Sequence, residues 1–148
     1  DLHSFPTRRS SDLNGSKTTT LDVSGFDTSK VTNMGNMFRS VLVETLDLNN
    51  FNTSNVIYMD NMFFGSKMIS LDLSSFNTSN VTTMYGMFWG SSAADLNLKS
   101  FDTSKVKSMS FMFRGALAEN LDLNNFNTSN VADMGGECLK VLKLKHWI

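Results

Sequence analysis

The sequence predicts a repeat solenoid: a right-handed winding of the chain with a parallel β-sheet on one side and short helical turns on the other. Three observations predict it. Five segments align without gaps, apolar residues recur at fixed places within them, and their starts are 25 residues apart. A fixed period of this length is typical of stacked units, because one unit cannot bury its own apolar side. A single-chain β-helix is the alternative architecture.

The five segments, here called repeats 1 to 5, share one pattern. They begin at Leu21, Leu46, Leu71, Leu96 and Leu121. Leu occupies position 1, Leu or Val position 3, Phe position 6, Val position 11 and Met position 14. Repeats 1 to 4 add Met-Phe at positions 17 and 18, and three of these continue with Gly at position 20. We predict that these recurring apolar positions form the core.

Each repeat divides into a strand, a turn and a second buried segment. In Leu-Asp-Leu the side chains alternate, which points both Leu inward and Asp outward. Phe at position 6 ends the strand, and the Asp/Asn-Thr-Ser that follows is typical of turns and helix caps, since short polar side chains satisfy loose backbone groups. The later Val, Met and Met-Phe recur every three to four residues, which predicts a short helical turn. Gly at position 20 can end that turn in a left-handed conformation.

The motif LDLxxFxTSxVxxMxxMF resembles that of the BspA-like leucine-rich-repeat surface proteins of bacteria and some parasitic protists. The resemblance covers Leu21 to about Met134. It implies a right-handed leucine-rich-repeat-like solenoid, an export signal and anchor, an extracellular location at the bacterial cell surface, and adhesion to a host-matrix or neighbouring-cell protein. The chain departs from the family pattern in two ways. It has no Cys after position 20, and position 6 is Phe where leucine-rich repeats ordinarily have Asn.

Both ends of the chain depart from the repeat. Residues 1–13, DLHSFPTRRSSDL, match the translation of a common short-read sequencing adapter at every residue, and we expect them to be an artefact rather than a basic arm. Residues 14–20 resemble the end of a preceding repeat. A one-nucleotide shift of the reading frame over residues 135–148 restores Met-Phe and the next Leu-Asp in register. We therefore expect a frameshifted repeat there, rather than a divergent cap, and a solenoid spanning residues 21–134.

Composition and charge argue against several classes of function. The formal net charge of −1 gives no reason to expect nucleic acid or an anionic membrane as partner. No apolar run approaches the roughly 20 residues that span a bilayer. His3, Cys138 and His146 all lie in the two end segments, so residues 21–134 offer no His or Cys for a nucleophilic triad or a metal. We expect no enzymatic activity, no cofactor and no metal site.

Two polar rows invite functional hypotheses. Asp at position 2 forms an outward acidic ladder that could share a hard cation such as calcium, although a solvated face screened by salt is the simpler interpretation. Its members are Asp22, Asp47, Asp72 and Asp122, with Asn97 interrupting the row. Thr at position 8 forms a second ladder that could order water or ice, but turn chemistry explains it better.

Position 19 is the best candidate for a binding surface, because it varies between repeats while the core positions do not. Aromatic and Arg side chains on one exposed stripe are typical of protein-binding hot spots. The predicted patch comprises Arg39, Phe64, Trp89 and Arg114, together with Tyr85 and Phe111 from positions 15 and 16 and Tyr58 from position 13. The structural alternative is that Phe64 and Trp89 merely cover the convex side. We predict an adhesion or protein-binding module, with a passive stalk or spacer as the alternative and ice or water ordering as a distant one.

Overall fold

The computed structural model of the chain describes Gly15, residues 19–119, residues 121–136 and Cys138. Its two strands are β1 (Ser70–Asp72) and β2 (Asp95–Asn97). They pair in parallel with Leu71 opposite Leu96, so the offset between partners equals the length of one repeat. The described residues contain no helix.

The segments expected to be artefacts lie largely outside these described residues. Nothing in the structure bears on the adapter hypothesis for residues 1–13. Within residues 135–148, only Gly135, Gly136 and Cys138 are described, and the frameshift hypothesis likewise stays a prediction.

Parallel pairing between repeats continues at position 13. Isolated parallel bridges run in order through Asn33, Tyr58, Thr83, Ser108 and Asp133. Each of these residues is 25 positions after the one before it. Consecutive repeats therefore lie side by side, and they are joined by backbone hydrogen bonds at several places along each repeat.

The recurring apolar positions form the core of the central repeats, as predicted. In repeat 3, every one of them is buried, and Phe76 is only 1% exposed. The buried set there is Leu71, Leu73, Phe76, Val81, Met84, Met87 and Phe88. Because the same residue types fill the same positions in repeat 4, the core continues from one repeat into the next.

Phe at position 18 forms a stack through the middle of this core. The ring centroids of Phe38 and Phe63 are 5.6 Å apart, those of Phe63 and Phe88 5.7 Å, and those of Phe88 and Phe113 5.5 Å. The angle between neighbouring ring planes is 12° or less. Each inner ring is thus packed between two copies of itself, 25 residues before and after it in the chain.

The segment from position 14 to position 20 is not a helical turn, and that prediction is wrong for the described residues. The N–H of Trp89 donates to the carbonyl of Gly86 at 3.0 Å, three residues back, as in a β-turn. The next N–H towards the N-terminus, that of Phe88, instead donates to the carbonyl of Met112 in repeat 4 at 2.8 Å. In a helical segment, successive N–H groups beyond the first turn all donate to carbonyls of the same segment. Here alternate N–H groups are used to join the repeats.

Left-handed backbone at two positions per repeat makes these turns possible. Position 20 has positive φ, as predicted, in Gly65, Gly90 and Gly115 (62°, 65° and 65°) and also in Ser40 (55°). Position 16, which was not predicted, has positive φ in all four of the first repeats. Its occupants are Asn36, Asn61, Gly86 and Phe111, at 61°, 54°, 57° and 61°. Asn and Gly tolerate this region well, whereas a bulky side chain does not.

Threonine at position 8 joins each repeat to the next. The hydroxyl of Thr78 donates to the carbonyl of Asp102 at 2.9 Å and accepts from the N–H of the same residue at 2.8 Å. The same pair of hydrogen bonds recurs at Thr28, Thr53 and Thr103. These four threonines are buried, which removes the geometric basis for the hypothesis that they order external water or ice. Their role goes beyond the local turn chemistry that was predicted.

Asparagine at position 5 adds a further link between repeats. The amide nitrogen of Asn50 donates to the carbonyls of Val23 and Ser24 at 3.0 and 3.1 Å. Asn125 bonds in the same way to the carbonyls of repeat 4. This asparagine link was not predicted. The prediction considered only position 6, which carries Phe, and not the adjacent position 5.

Candidate functional site

Six of the seven side chains predicted to form a binding patch lie together in one continuous row, here called the aromatic ladder. It comprises Arg39, Phe64, Trp89 and Arg114 with Tyr85 and Phe111. The seventh, Tyr58, makes no ring contact with this row among the described residues. The ring centroids of Phe64 and Trp89 are 5.1 Å apart, and those of Trp89 and Phe111 are 5.0 Å apart at an interplanar angle of 14°. Tyr85 approaches Phe111 edge-on at 5.5 Å. The alignment follows from the pairing of repeats, which places equal positions next to each other.

Two guanidinium groups lie over the rings of the ladder. The Cζ atom of Arg39 is 3.8 Å from the ring centroid of Phe64. The Cζ atom of Arg114 is 4.9 Å from the ring of Trp89 and 5.3 Å from that of Phe111. Each cation–π contact of this kind contributes about 0.5–1 kcal/mol at an exposed site. The two arginines, from repeats 1 and 4, therefore lean towards each other over the rings of repeats 2 to 4.

The ladder is half-buried, and this corrects the prediction of a fully exposed stripe. All six of its side chains have intermediate exposure. The reason is that each one packs on its neighbour in the adjacent repeat, which leaves only part of each side chain accessible. The structural alternative, that Phe64 and Trp89 merely cover the convex side, fits the same half-buried placement and stays open.

Phe111 holds a strained backbone conformation within the ladder. Its φ of 61° is left-handed, which costs of the order of 1–3 kcal/mol for a bulky residue. A Cβ atom added to Gly136, at the same position in repeat 5, would overlap the Phe111 ring. The sequence carried a signal for the left-handed backbone at position 16, since this position is Asn or Gly in every other repeat. Backbone strain of this kind clusters at functional sites.

The acidic ladder builds turns. Its four carboxylates are exposed, and one oxygen of each accepts the N–H two residues later, at 2.9 to 3.1 Å. This is the Asx-turn, in which a side-chain oxygen replaces a backbone acceptor. Asn97 continues the row in repeat 4 and donates to the carboxylate of Asp72 at 2.9 Å. Among the residues that the structure describes, no group of three or more His, Cys, Asp or Glu side chains could hold a metal ion.

We expect the protein to lose stability in acid because several carboxylates are stabilised by hydrogen bonds. The side-chain hydroxyl and the N–H of Ser74 hold the pKa of Asp72 below its ordinary value of 3.8, and Asn97 adds to this. The pKa values of Asp27, Asp102 and Asp133 are lowered in the same way, foremost by Ser29, Ser104 and Ser110. A carboxyl group whose pKa is lower in the folded state than in the unfolded state stabilises the fold at any pH above its unfolded-state pKa. That stabilisation is lost as the pH falls through the folded-state pKa.

Thermal melts between pH 7 and pH 2 measure this effect. The melting temperature should be flat above about pH 5 and should fall below about pH 4. Asp72→Asn is the matched variant, since Asn97 shows that an amide can accept the same N–H. It should melt near the wild-type temperature at pH 7 and show a shallower acid dependence. A wild-type melting temperature that rises on acidification would contradict the assignment.

The family described as "Mycoplasma protein of unknown function, DUF285" matches residues 8–103 and again residues 41–146. The two matches together span most of the chain. The chain belongs to this family. No curated protein and no solved structure matches it.

The two DUF285 matches overlap over residues 41–103. Overlap is what a periodic sequence produces, because the same repeats can align with the family pattern in more than one register. The described part of this DUF285 chain has no helix long and apolar enough to cross a membrane.

Cys138 is buried at position 18 of repeat 5, where the first four repeats have Phe. Its thiol lies 2.8 Å from the carbonyl oxygen of Met109, and burial raises the pKa of the thiol. The side chain thus fills a core position and is kept in its weakly nucleophilic, protonated form.

Proposed function

We propose that this DUF285 chain is a protein-binding repeat module of a bacterial surface protein. In this proposal it is a right-handed, BspA-like leucine-rich-repeat solenoid, located outside the cell, that adheres to a host-matrix or neighbouring-cell protein and catalyses no reaction. The aromatic ladder carries the proposal. It is a continuous row of accessible aromatic and arginine side chains, which are the types that contribute most to protein-binding hot spots.

The pairing between repeats supports the solenoid part of the proposal. Strand pairing, position-13 bridges, threonine bonds and the phenylalanine stack all join residues 24 or 25 apart in the sequence. A single-chain β-helix would share this offset and is the alternative. Either architecture provides an extended surface made of equivalent positions, which is how repeat proteins bind their partners.

Phe111 favours binding over the passive stalk. A stalk needs only that position 16 adopt a left-handed turn, and Asn36 or Gly86 does this without a bulky side chain. Phe111 instead carries the strain and stacks on Trp89 at 5.0 Å, which extends the ladder into repeat 4. A strained residue that enlarges an accessible aromatic surface fits a recognition role.

Trp89→Ala is the test of this proposal, because Trp89 contacts Phe64, Phe111 and Arg114 at the centre of the ladder. Truncation of a hot-spot residue costs about 2 kcal/mol, so we expect affinity for the recognised surface or matrix protein to fall about thirtyfold. The measurement is surface plasmon resonance against immobilised extracellular-matrix proteins, with circular dichroism melts to check folding.

Tyr58→Ala is the matched control for that experiment. Tyr58 is an aromatic residue at position 13, it is 45% exposed, and it makes no ring contact with the ladder among the described residues. We expect the binding of this variant to stay within about twofold of wild type. Equal binding by wild type and the Trp89 variant would favour the passive stalk.

A further inference from the structure

The two arginines of the aromatic ladder place a pair of positive charges on one face. The Cζ atom of Arg39 is 3.8 Å from the ring centroid of Phe64, and that centroid is 5.1 Å from the one of Trp89. The Trp89 ring is in turn 4.9 Å from the Cζ atom of Arg114. The two guanidinium groups are therefore no more than about 14 Å apart. Among the described residues, neither of them pairs with a carboxylate.

From this pair of charges we propose that the ladder binds an extended, acidic segment of a partner protein. The inference rests on the proposed function and names the partner's chemistry. Guanidinium groups form their strongest hydrogen bonds with carboxylates, often through two parallel N–H donors. An extended chain advances about 3.3 Å per residue, so carboxylates up to four residues apart reach both arginines. The apolar stems between these carboxylates would lie on the partly exposed rings of the ladder.

The arrangement of the rings favours a peptide over a polysaccharide. A sugar ring would bind by lying flat on an open aromatic face. In the ladder Phe111 stacks on one face of Trp89, with its plane only 14° from parallel, Arg114 also lies over the Trp89 ring, and Arg39 lies over one face of Phe64. The charged N–H groups match the carboxylates of a peptide, and the partly exposed rings match its apolar side-chain stems.

The test uses the full chain and a fluorescent peptide of about twelve residues in which Glu and Thr alternate. Fluorescence anisotropy gives the Kd for wild type and for the double variant Arg39→Gln/Arg114→Gln. The control is Lys99→Gln/Lys107→Gln, which removes the same charge from two exposed lysines outside the ladder. We expect the arginine variant to bind at least about tenfold more weakly and the lysine variant to bind within about twofold of wild type. Wild-type binding should also weaken as salt is raised.

Four outcomes would overturn the inference. The peptide could fail to bind wild type, both double variants could lose affinity equally, or heparin could bind through the two arginines while the peptide does not. A peptide in which Gln replaces Glu should not bind, and equal binding of the two peptides would also count against it. The outcome is separable from that for the proposed function. If Trp89→Ala abolishes matrix binding while the arginine variant retains it, the adhesion proposal stands and the acidic-partner inference falls.

Discussion

Phe88→Ala should lower the free energy of unfolding by about 3–5 kcal/mol, the usual range for removing a buried phenylalanine ring. Phe88 is 0% exposed and lies between the rings of Phe63 and Phe113, at 5.7 and 5.5 Å. Those two neighbours are each held by further rings or by the backbone pairing of their own repeats. They cannot close the gap without shifting whole repeats, so the cavity should stay open.

Urea denaturation followed by circular dichroism measures this loss. Phe126→Ala is the matched control, since Phe126 is half-buried and stacks on Phe101 at 6.3 Å in the last described repeat. We expect it to cost less than half as much as Phe88→Ala. Because repeats interact mainly with their neighbours, the central variant should broaden the unfolding transition as well. Equal losses in the two variants would contradict the role assigned to the phenylalanine stack.

The core could be predicted from the sequence because five repeats sample one environment. Leu71, Phe76 and Phe88 are buried; the first two have equivalents of the same type in every repeat, and Phe88 has them in the first four. A residue that recurs while its neighbours change must satisfy a constraint shared by all repeats, and burial is the simplest one. This argument needs no knowledge of the backbone path, which explains its success.

The backbone path between positions 14 and 20 could not be predicted in the same way. Apolar residues at intervals of three to four suit a helical turn and a series of β-turns equally well. The deciding fact is that the N–H of Phe88 donates to the carbonyl of Met112 in the next repeat. The sequence of a single repeat does not show which of its N–H groups bond to carbonyls of the neighbouring repeat. The left-handed position 16 was open to prediction from its Asn and Gly residues, and only Phe111 conceals the pattern.

The residues of the candidate site were predicted by the same reasoning, but the exposure of their side chains was not. Variation at position 19 distinguishes Arg39, Phe64 and Trp89 from the invariant core. That they are half-buried follows from contacts between repeats, such as that of Arg39 with the ring of Phe64 at 3.8 Å. Whether a long side chain points to solvent or lies along its neighbour depends on the residue 25 places later, which no local pattern describes.

Thr78→Val should lower the free energy of unfolding by about 2–4 kcal/mol, although it leaves the shape of the side chain almost unchanged. Thr78 is 1% exposed, and its hydroxyl bonds both the N–H and the carbonyl of Asp102, at 2.8 and 2.9 Å. Valine has no hydroxyl group and can form neither hydrogen bond. Each backbone group left without a partner costs about 1–3 kcal/mol. No cavity forms, so the loss measures the hydrogen bonds between repeats rather than packing.

Thr128→Val provides the control within the same chain. Thr128 occupies the same position in repeat 5 but is exposed, and its hydroxyl makes none of the paired bonds seen at Thr28, Thr53 and Thr103 among the described residues. We expect this change to stay within about 0.5 kcal/mol of wild type, as surface substitutions usually do. Urea denaturation of both variants gives the comparison. If Thr78→Val is as stable as Thr128→Val, then the threonine row serves only the local turn, and the repeats are held together by the core and by backbone pairing alone.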